Sequence, residues 1–272
     1  MTTTARRTRG AGLLSIALSS VLVIGALGFG TGGATAGDAD TALLPDLVVR
    51  PIGGVRVGAG EAGKSLRFDT VVGNRGSGPA ELFPDVPDSG DCDGDGDSDD
   101  DRVATQRVFG DTDHDGVFTR GVDEVLSETE IGCFIFHPAH DHWHFEEFAR
   151  YQLRRVHKDE VVRSAEKVSF CLTDTEAFGD VPGAGDRYYG RCDPDVTMGL
   201  SVGWSDLYDW GLVGQELSIK GLPDGRYCLT MFVDPGSRVE ESNEIDNGRS
   251  TVVKIEGRRA TDLDRRCPGE AR

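Results

Sequence analysis

Four of the six histidines fall within eight residues, as His137-Pro-Ala-His140-Asp-His142-Trp-His144. Three of them recur at every second position. On a strand, residues i, i+2 and i+4 face one way, so His140, His142 and His144 would line one face and Asp141 and Trp143 the other. Neutral imidazole binds copper, zinc, nickel and iron alike, and the spacing therefore predicts a metal site. A flat strand would hold the outer two Cα atoms roughly 13 Å apart, near the limit for sharing one ion, so a bend or bulge is expected here. The bland alternative is an exposed polar strand that is rich in histidine. Against it stands the role of imidazole as the commonest metal-ligating side chain.

A second set of chemically able residues is acidic. Nine aspartates occur in the 17 residues from Asp85 to Asp101, a composition that leaves little for a core element. Asp93-Gly-Asp95-Gly-Asp97 and Asp111-Thr-Asp113-His-Asp115-Gly116 both carry the D-x-D-x-D spacing of a calcium loop. Alternate carboxylates there wrap one hard cation, and Gly116 permits the sharp turn at the sixth position. Phe118 supplies the apolar eighth position, which makes the second copy the better one. Val122 stands at the twelfth, where a full EF-hand loop has a bidentate carboxylate, with Asp123 and Glu124 just after. A solvated, disordered acidic insertion is the alternative. Cys92 and Cys133, which flank the region, argue that it is held in place.

The elements that must carry these groups read as strands. Residues 46–50 and 66–72 alternate or are β-branched, with turn chemistry over 73–78, and the chain opens like a β-sandwich. After the histidines, Phe145 and Phe148 break strict alternation while Tyr151 and Leu153 resume it, so Glu146-Glu147 is a predicted bulge. Residues 160–163, 167–175, 215–220, 226–233 and 249–256 follow as strands, with a tight turn at 223–225. Residues 199–210 are rich in glycine and aromatics and read as an irregular loop. No amphipathic helix of useful length and no solenoid repeat is present, so the fold class is mainly β, in one sandwich-like domain with long irregular loops.

Residues 1–36 read as an export leader. Arg6, Arg7 and Arg9 precede an apolar run over 13–27, and Ala34-Thr35-Ala36 fits a cleavage site. An uncleaved anchor is the alternative, disfavoured because the run is short and contains Gly and Ser. Loss of this leader, which holds three arginines and no acid, would take the net charge from -18 to -21. Nucleic acid and anionic lipid are poor partners for such a surface, and cationic substrates are good ones. A secreted product is expected, with no membrane association after cleavage. The six cysteines all lie beyond the leader, an even number suited to disulfides in an oxidising compartment. The sequential pairs, Cys92 with Cys133, Cys171 with Cys192 and Cys228 with Cys267, are preferred because each closes a local segment.

Several motifs now stand in order: His137-x-x-His140-x-His142-x-His144-x-x-Glu147-Phe148, Lys167-x-Ser169-Phe-Cys171-Leu-x-Asp174-Thr175, Gly199-Leu-Ser-x-Gly203 leading to Asp206-x-Tyr208, Asp224-Gly-x-Tyr227, and Glu241-Ser followed by Asn247. With Leu66-Arg-Phe68 and Asn74-x-Gly76 upstream, this series resembles the catalytic domain of the lysyl oxidase family over most of residues 45–256. The resemblance implies a copper amine oxidase whose cofactor, lysine tyrosylquinone, forms from its own side chains. It puts copper on His140, His142 and His144 and the quinone on Lys167 and Tyr208. A phenol near copper and O₂ can be oxidised to a quinone, to which a neighbouring lysine amine can add. Alone, Lys167 would read as a surface charge and Tyr208 as loop packing; the resemblance is what elevates them.

The implied reaction takes a primary amine to an aldehyde, with O₂ reduced to H₂O₂ and ammonia released, the quinone serving as electron sink and a base removing the α-proton. Asp206 is the candidate base. His137 lies outside the ligand triplet as the resemblance gives it and is open to two readings, a hydrogen-bond partner behind the ligands or a substitute ligand. Trp204 and Trp210 are candidate walls of the substrate site, or local packing. Peptidyl lysine or a free diamine is the expected substrate, with calcium as a structural ion. On this reading 37–44 is a linker, 45–257 the catalytic domain with an acidic insertion over 85–130, and 258–272 a tail. The sequence departs from the animal pattern at Ala139 and Ala177, where cysteines would stand, so the family's disulfides cannot be copied, and the insertion has no counterpart there. An exported, non-catalytic Ig-like adhesion module that binds calcium or another metal is the competing class; Lys167 and Tyr208 are the residues it has no use for.

Overall fold

Residues 63–74 and 142–155, rich in aromatic and branched side chains, form two long strands around which two antiparallel sheets assemble. The structure is a computed structural model. It describes residues 41–60, 63–84, 101–138, 140–158, 160–193 and 196–269, with positions 91, 92, 94 and 96; the leader and Asp93, Asp95 and Asp97 lie outside the described residues. In chain order the strands are β1 (Ala42–Leu43), β2 (Leu47–Val49), β3 (Gly53–Gly60), β4 (Gly63–Asn74), β5 (Ala80–Pro84) and β6 (Asp101–Gly110). Then come β7 (Val125–His137), β8 (His142–Arg155), β9 (Val161–Phe170), β10 (Glu176–Ala177) and β11 (Met198–Leu200). The last are β12 (Trp204–Tyr208), β13 (Glu216–Ser218), β14 (Gly225–Val233), β15 (Gly248–Glu256) and β16 (Arg259–Asp262). No helix among the described residues is long and apolar enough to cross a membrane.

The larger sheet has ten strands in the path β11-β5-β6-β7-β8-β14-β15-β16, with β1 on β6 and β9 on β8; the smaller, of six, centres on β4. At Phe145 the neighbours of β8 are β7 and β9, and from Ala149 onward they are β14 and β9. β8 thus joins the histidine end of the molecule to its core. Five residues of β8, Phe145 to Ala149, span three of β9, Phe170 to Val168, and Glu147 sits at φ 56°. This is the expected bulge. It adds two residues to β8 and so keeps the inward face in step, with Phe145 buried before it and Tyr151 and Leu153 after it, while Phe148 is buried out of alternation.

The core lies where the sheets meet. Leu47, Leu66, Phe68 and Val72 of the smaller sheet join Phe148, Tyr151, Leu229, Met231 and Val253 of the larger in one buried cluster. Phe68 meets Tyr151 edge to face with ring centroids 5.0 Å apart. Each such side chain contributes roughly 1.5–3 kcal/mol by leaving water. The three disulfides join Cys92 to Cys133, Cys171 to Cys192 and Cys228 to Cys267, the sequential pairs, with Cα atoms 5.9, 5.7 and 5.6 Å apart. The last joins Cys267 to β14, beside Val252 and Leu263.

Three stretches differ from the sequence reading. Residues 199–210, expected as a loop, contain β12 and the end of β11. Ser205, Asp206 and Tyr208 are all buried there, and a strand covered on both faces shows no alternation. Within the stretch read as an acidic insertion, β6 and the first six residues of β7 belong to the large sheet, and register shifts at Ala104/Thr105 and Val108/Phe109 erase their period in the sequence. β1 and β16 fall in the expected linker and tail.

Candidate functional site

The histidines gather at the β7–β8 turn. His137 ends β7 opposite His142, and its carbonyl accepts the His140 and Asp141 amides at 3.0 and 2.9 Å. Asp141 turns at φ 57°. The strand therefore begins at His142, and His140 belongs to the turn, contrary to the expectation of three histidines on one strand face. Pro138, which cannot donate to a ladder, helps end β7 here. The turn does the work of the expected bend: one ligating atom from each of His140, His142 and His144 lies within 4.8 Å of the others.

His144 is the buried member, 1% exposed. Its Nδ1 meets Ser169 Oγ of β9 at 3.0 Å, and its Nε2 meets His140 Nδ1 at 3.1 Å. Burial first, then the neighbouring histidines, pushes its pKa down to about 3. His140 and His142 shift the same way, burial again the main cause. The cluster is thus held neutral, the form that binds metal. Two buried ring nitrogens, His137 Nδ1 and His140 Nε2, have no hydrogen-bond partner.

Tyr208 reaches the same place from β12, whose register pairs it with Thr70 of β4. Its ring stacks on Phe170 at 3.9 Å. Its hydroxyl accepts the Cys171 amide at 2.6 Å and donates to the Cys171 carbonyl at 3.3 Å. Burial, reinforced by the charge of Asp206, raises the phenol well above its ordinary range. A cavity of about 240 Å³ is lined by His137, His140, His144, Tyr208, Ser169 and Gln215, together with Ala165 and Val168 of β9. Lys167 lies on β9 between those last two, at an irregularity of register with β8; its side chain is outside the described residues.

Residues that the sequence did not single out complete the surroundings. Tyr151 donates to Gln215 Oε1 at 2.9 Å, and Gln215 Nε2 donates to Thr70 at 2.8 Å, a closed buried set beside the cavity. Gln215 carries no local signal, and Ser169 stood inside a motif without a role. The Cys171–Cys192 bridge ties the two sides together, since Cys171 backbone holds the Tyr208 hydroxyl and Cys192 carbonyl accepts the Trp143 amide at 3.0 Å. Asp206 shares β12 with Tyr208 but is not among the cavity-lining residues. It is 2% exposed, one oxygen takes the Thr173 amide, Oδ2 has no partner, and burial raises its pKa well above the usual range. Trp204 donates to Gly185 at 2.9 Å and Trp210 stacks under Arg56 at 3.9 Å; neither lines the cavity.

The aspartate loop closes the β6–β7 hairpin. Asp111 accepts the Asp115 and Gly116 amides, and carboxylate oxygens of Asp111, Asp113 and Asp115 come within 4.8 Å of one another. Asp123, one residue past the twelfth position, is buried and accepts the Thr112 and Thr119 amides at 2.9 and 2.7 Å. Arg120 anchors the loop to the body, bonding Glu81 and the Tyr189 hydroxyl at 2.7 Å each and stacking on Tyr188 at 3.6 Å.

Comparison with known proteins agrees with the site. The lysyl oxidase family model matches residues 110–264. Lysyl oxidase homolog 2 of Bos taurus is 30% identical over 128 residues, 47% of this chain and 16% of that protein. Lysyl oxidase homolog 3 of Homo sapiens is 31% identical over 127 residues, 46% of this chain and 16% of that protein. The matched segment is thus a small part of those relatives. With the family model covering more than half of its residues, in an all-β fold whose histidines and Tyr208 share one cavity, this chain belongs to the lysyl oxidase family.

Proposed function

We propose that this chain oxidatively deaminates primary amines, peptidyl lysine among them, to aldehydes, using copper on His140, His142 and His144 and a quinone made from Lys167 and Tyr208. The observation that carries this reading is one cavity walled by His140, His144 and Tyr208 and by the β9 residues on either side of Lys167. The donor set fits copper, since His140, His142 and His144 are imidazoles whose pKa values burial lowers and His140 Nε2 is buried without a partner. When bound, copper supplies the redox chemistry that converts the phenol to a quinone, which then acts as electron sink for the amine.

The chain's own groups do the rest. Ser169 holds His144 Nδ1, which leaves Nε2 facing the other imidazoles. Cys171 backbone and the Phe170 ring hold the Tyr208 hydroxyl and ring plane. Asp206 is the proposed base, a carboxyl two residues from Tyr208 whose burial raises its affinity for a proton. The acidic surface, net -18 before any leader is lost, attracts ammonium-bearing substrates and O₂ needs no such help. Calcium is proposed for Asp111, Asp113 and Asp115, with Asp123 as an added carboxylate, and likewise for Asp93, Asp95 and Asp97. Secretion is proposed from the leader, with three disulfides suited to an oxidising compartment.

The test is peptide mass mapping of copper-loaded protein together with amine-dependent peroxide release. A cross-linked Lys167–Tyr208 peptide and peroxide that vanishes in Tyr208→Phe are expected. Recovery of both residues only in separate, unmodified peptides would sink the enzyme reading.

A further inference from the structure

We infer that the outer face of β8, β14 and β15 binds an oligosaccharide carrying a carboxylate, at a site separate from the histidine cavity. Along β8, Ala149, Tyr151 and Leu153 are buried in the core, so Arg150, Gln152 and Arg154 belong to the opposite face. β14 sets Phe232 opposite Arg150, Thr230 opposite Gln152 and Cys228 opposite Arg154. β15 puts Gly248 against Phe232, where a Cβ would come within 3.1 Å of the ring. The loop after β14 and the chain's last turn raise walls around this floor and enclose a cavity of about 410 Å³. That volume lies within the roughly 300–1,000 Å³ of small-ligand sites.

The two ends of the cavity differ in charge. Arg266 stands at one end, placed by the Cys228–Cys267 bridge and by the Arg265 carbonyl, which accepts the Val252 amide at 2.8 Å. Arg154 is tied to the same turn, donating to the Pro268 carbonyl at 3.1 Å. Among the described residues neither guanidinium forms an ion pair, in a chain with 47 acidic residues against 29 lysines and arginines. Two unneutralised guanidiniums on one cavity of so acidic a protein suit a carboxylate from outside, which they can bind through paired hydrogen bonds.

Arg150 and Phe232 lie four residues along the strands from that end, roughly 13 Å away, and Asp234 and Glu244 line the cavity beyond them. A polyanion of that length would set negative charge against these two acids, whereas a sugar offers hydroxyls that carboxylates accept. Between the ends, the Thr230 hydroxyl and the Gln152 amide can pair with further hydroxyls. Phe232 and Ile245, the latter 94% exposed, offer apolar surface to the carbon face of a sugar ring. The site backs onto the histidine cavity without sharing it, since Tyr151, between Arg150 and Gln152, bonds Gln215 on the other side of β8. A saccharide held here would tether the protein and leave that cavity open.

The experiment titrates the full chain by isothermal calorimetry with aldotriouronic acid, one methylglucuronic acid on two xyloses. Xylotriose is the uncharged counterpart and triglutamate the acidic peptide. Aldotriouronic acid is expected to bind about tenfold or more tighter than xylotriose, and to lose about that factor in Arg266→Ala. Arg266 is exposed, and among the described residues its side chain makes no hydrogen bond, so this variant should keep its melting temperature and its amine oxidation. No binding of the acidic sugar, equal binding of xylotriose, or an unchanged affinity in Arg266→Ala would overturn the inference. Tighter binding of triglutamate would overturn the saccharide assignment and put an acidic peptide in its place.

Discussion

At the scale of single residues, the site depends on where hydrogen-bonding groups are satisfied and where they are not. Ser169 holds the ring of the most buried histidine through its Nδ1. Ser169→Ala should weaken copper binding about 10- to 100-fold, measured by chelator competition, and lower the melting temperature of the metal-free protein as well, because His144 Nδ1 is left buried without its partner. Asp206 sets a pH dependence. Its folded-state pKa is raised above the unfolded value of 3.8, so the protonated form is favoured by folding. The stability it contributes is fully present below that unfolded value and is lost as pH rises toward and through the folded one. Asp206→Asn should therefore flatten the fall of stability with rising pH, as read from melting curves across acid to neutral conditions. A fall as steep as in the unsubstituted protein would show that Asp206 is not its source. The same substitution should depress amine turnover if Asp206 is the base.

At the scale of elements, the β8 bulge and the β6–β7 hairpin decide what reaches the cavity. With the extra residues at Glu146-Glu147 the strand buries Phe148 out of alternation, while Phe145, Ala149 and Tyr151 keep the period of two. The hairpin's tip is held by Arg120, whose guanidinium is one of two on the fully buried Glu81. Arg120→Ala leaves Arg107 on Oε1 and the Tyr189 hydroxyl on Oε2 of Glu81, but removes one charged hydrogen bond from that buried carboxylate and unstacks Tyr188. A loss of about 2–3 kcal/mol in urea unfolding is expected. The aspartate loop at that tip should respond to its ion: saturating calcium should raise the melting temperature, and Asp111→Ala should cancel the rise. A melt indifferent to calcium would count against the proposed ion.

At the scale of the whole molecule, charge and cross-links matter most. A net charge of -18 produces a field that concentrates cations near the surface. For a lysine-containing peptide, kcat/KM should fall as salt rises, mainly through KM, and a neutral amine analogue should show no such trend. Salt-independent turnover of the cationic peptide would remove the steering argument. The three disulfides each close a stretch of 21 to 41 residues, and Cys171–Cys192 does so beside Tyr208.

Much of this was legible in the residues themselves. Closely spaced histidines, the D-x-D-x-D loop, the bulge beside Phe148 and the sequential cysteine pairs are local features, and local chemistry is written in local spacing. Motif order was enough to suggest the family. The tertiary structure decided what depends on distant registers. It moved His140 from the strand into the turn, made residues 204–208 a strand buried at Ser205, Asp206 and Tyr208, and brought Gln215, Ser169 and Tyr208 to one cavity. Tyr208 meets Thr70, and Tyr151 meets Gln215, across separations that no period in the chain encodes. Which strands become neighbours is settled by the packing of two sheets around a shared core, and that is a property of the whole chain rather than of any stretch in it.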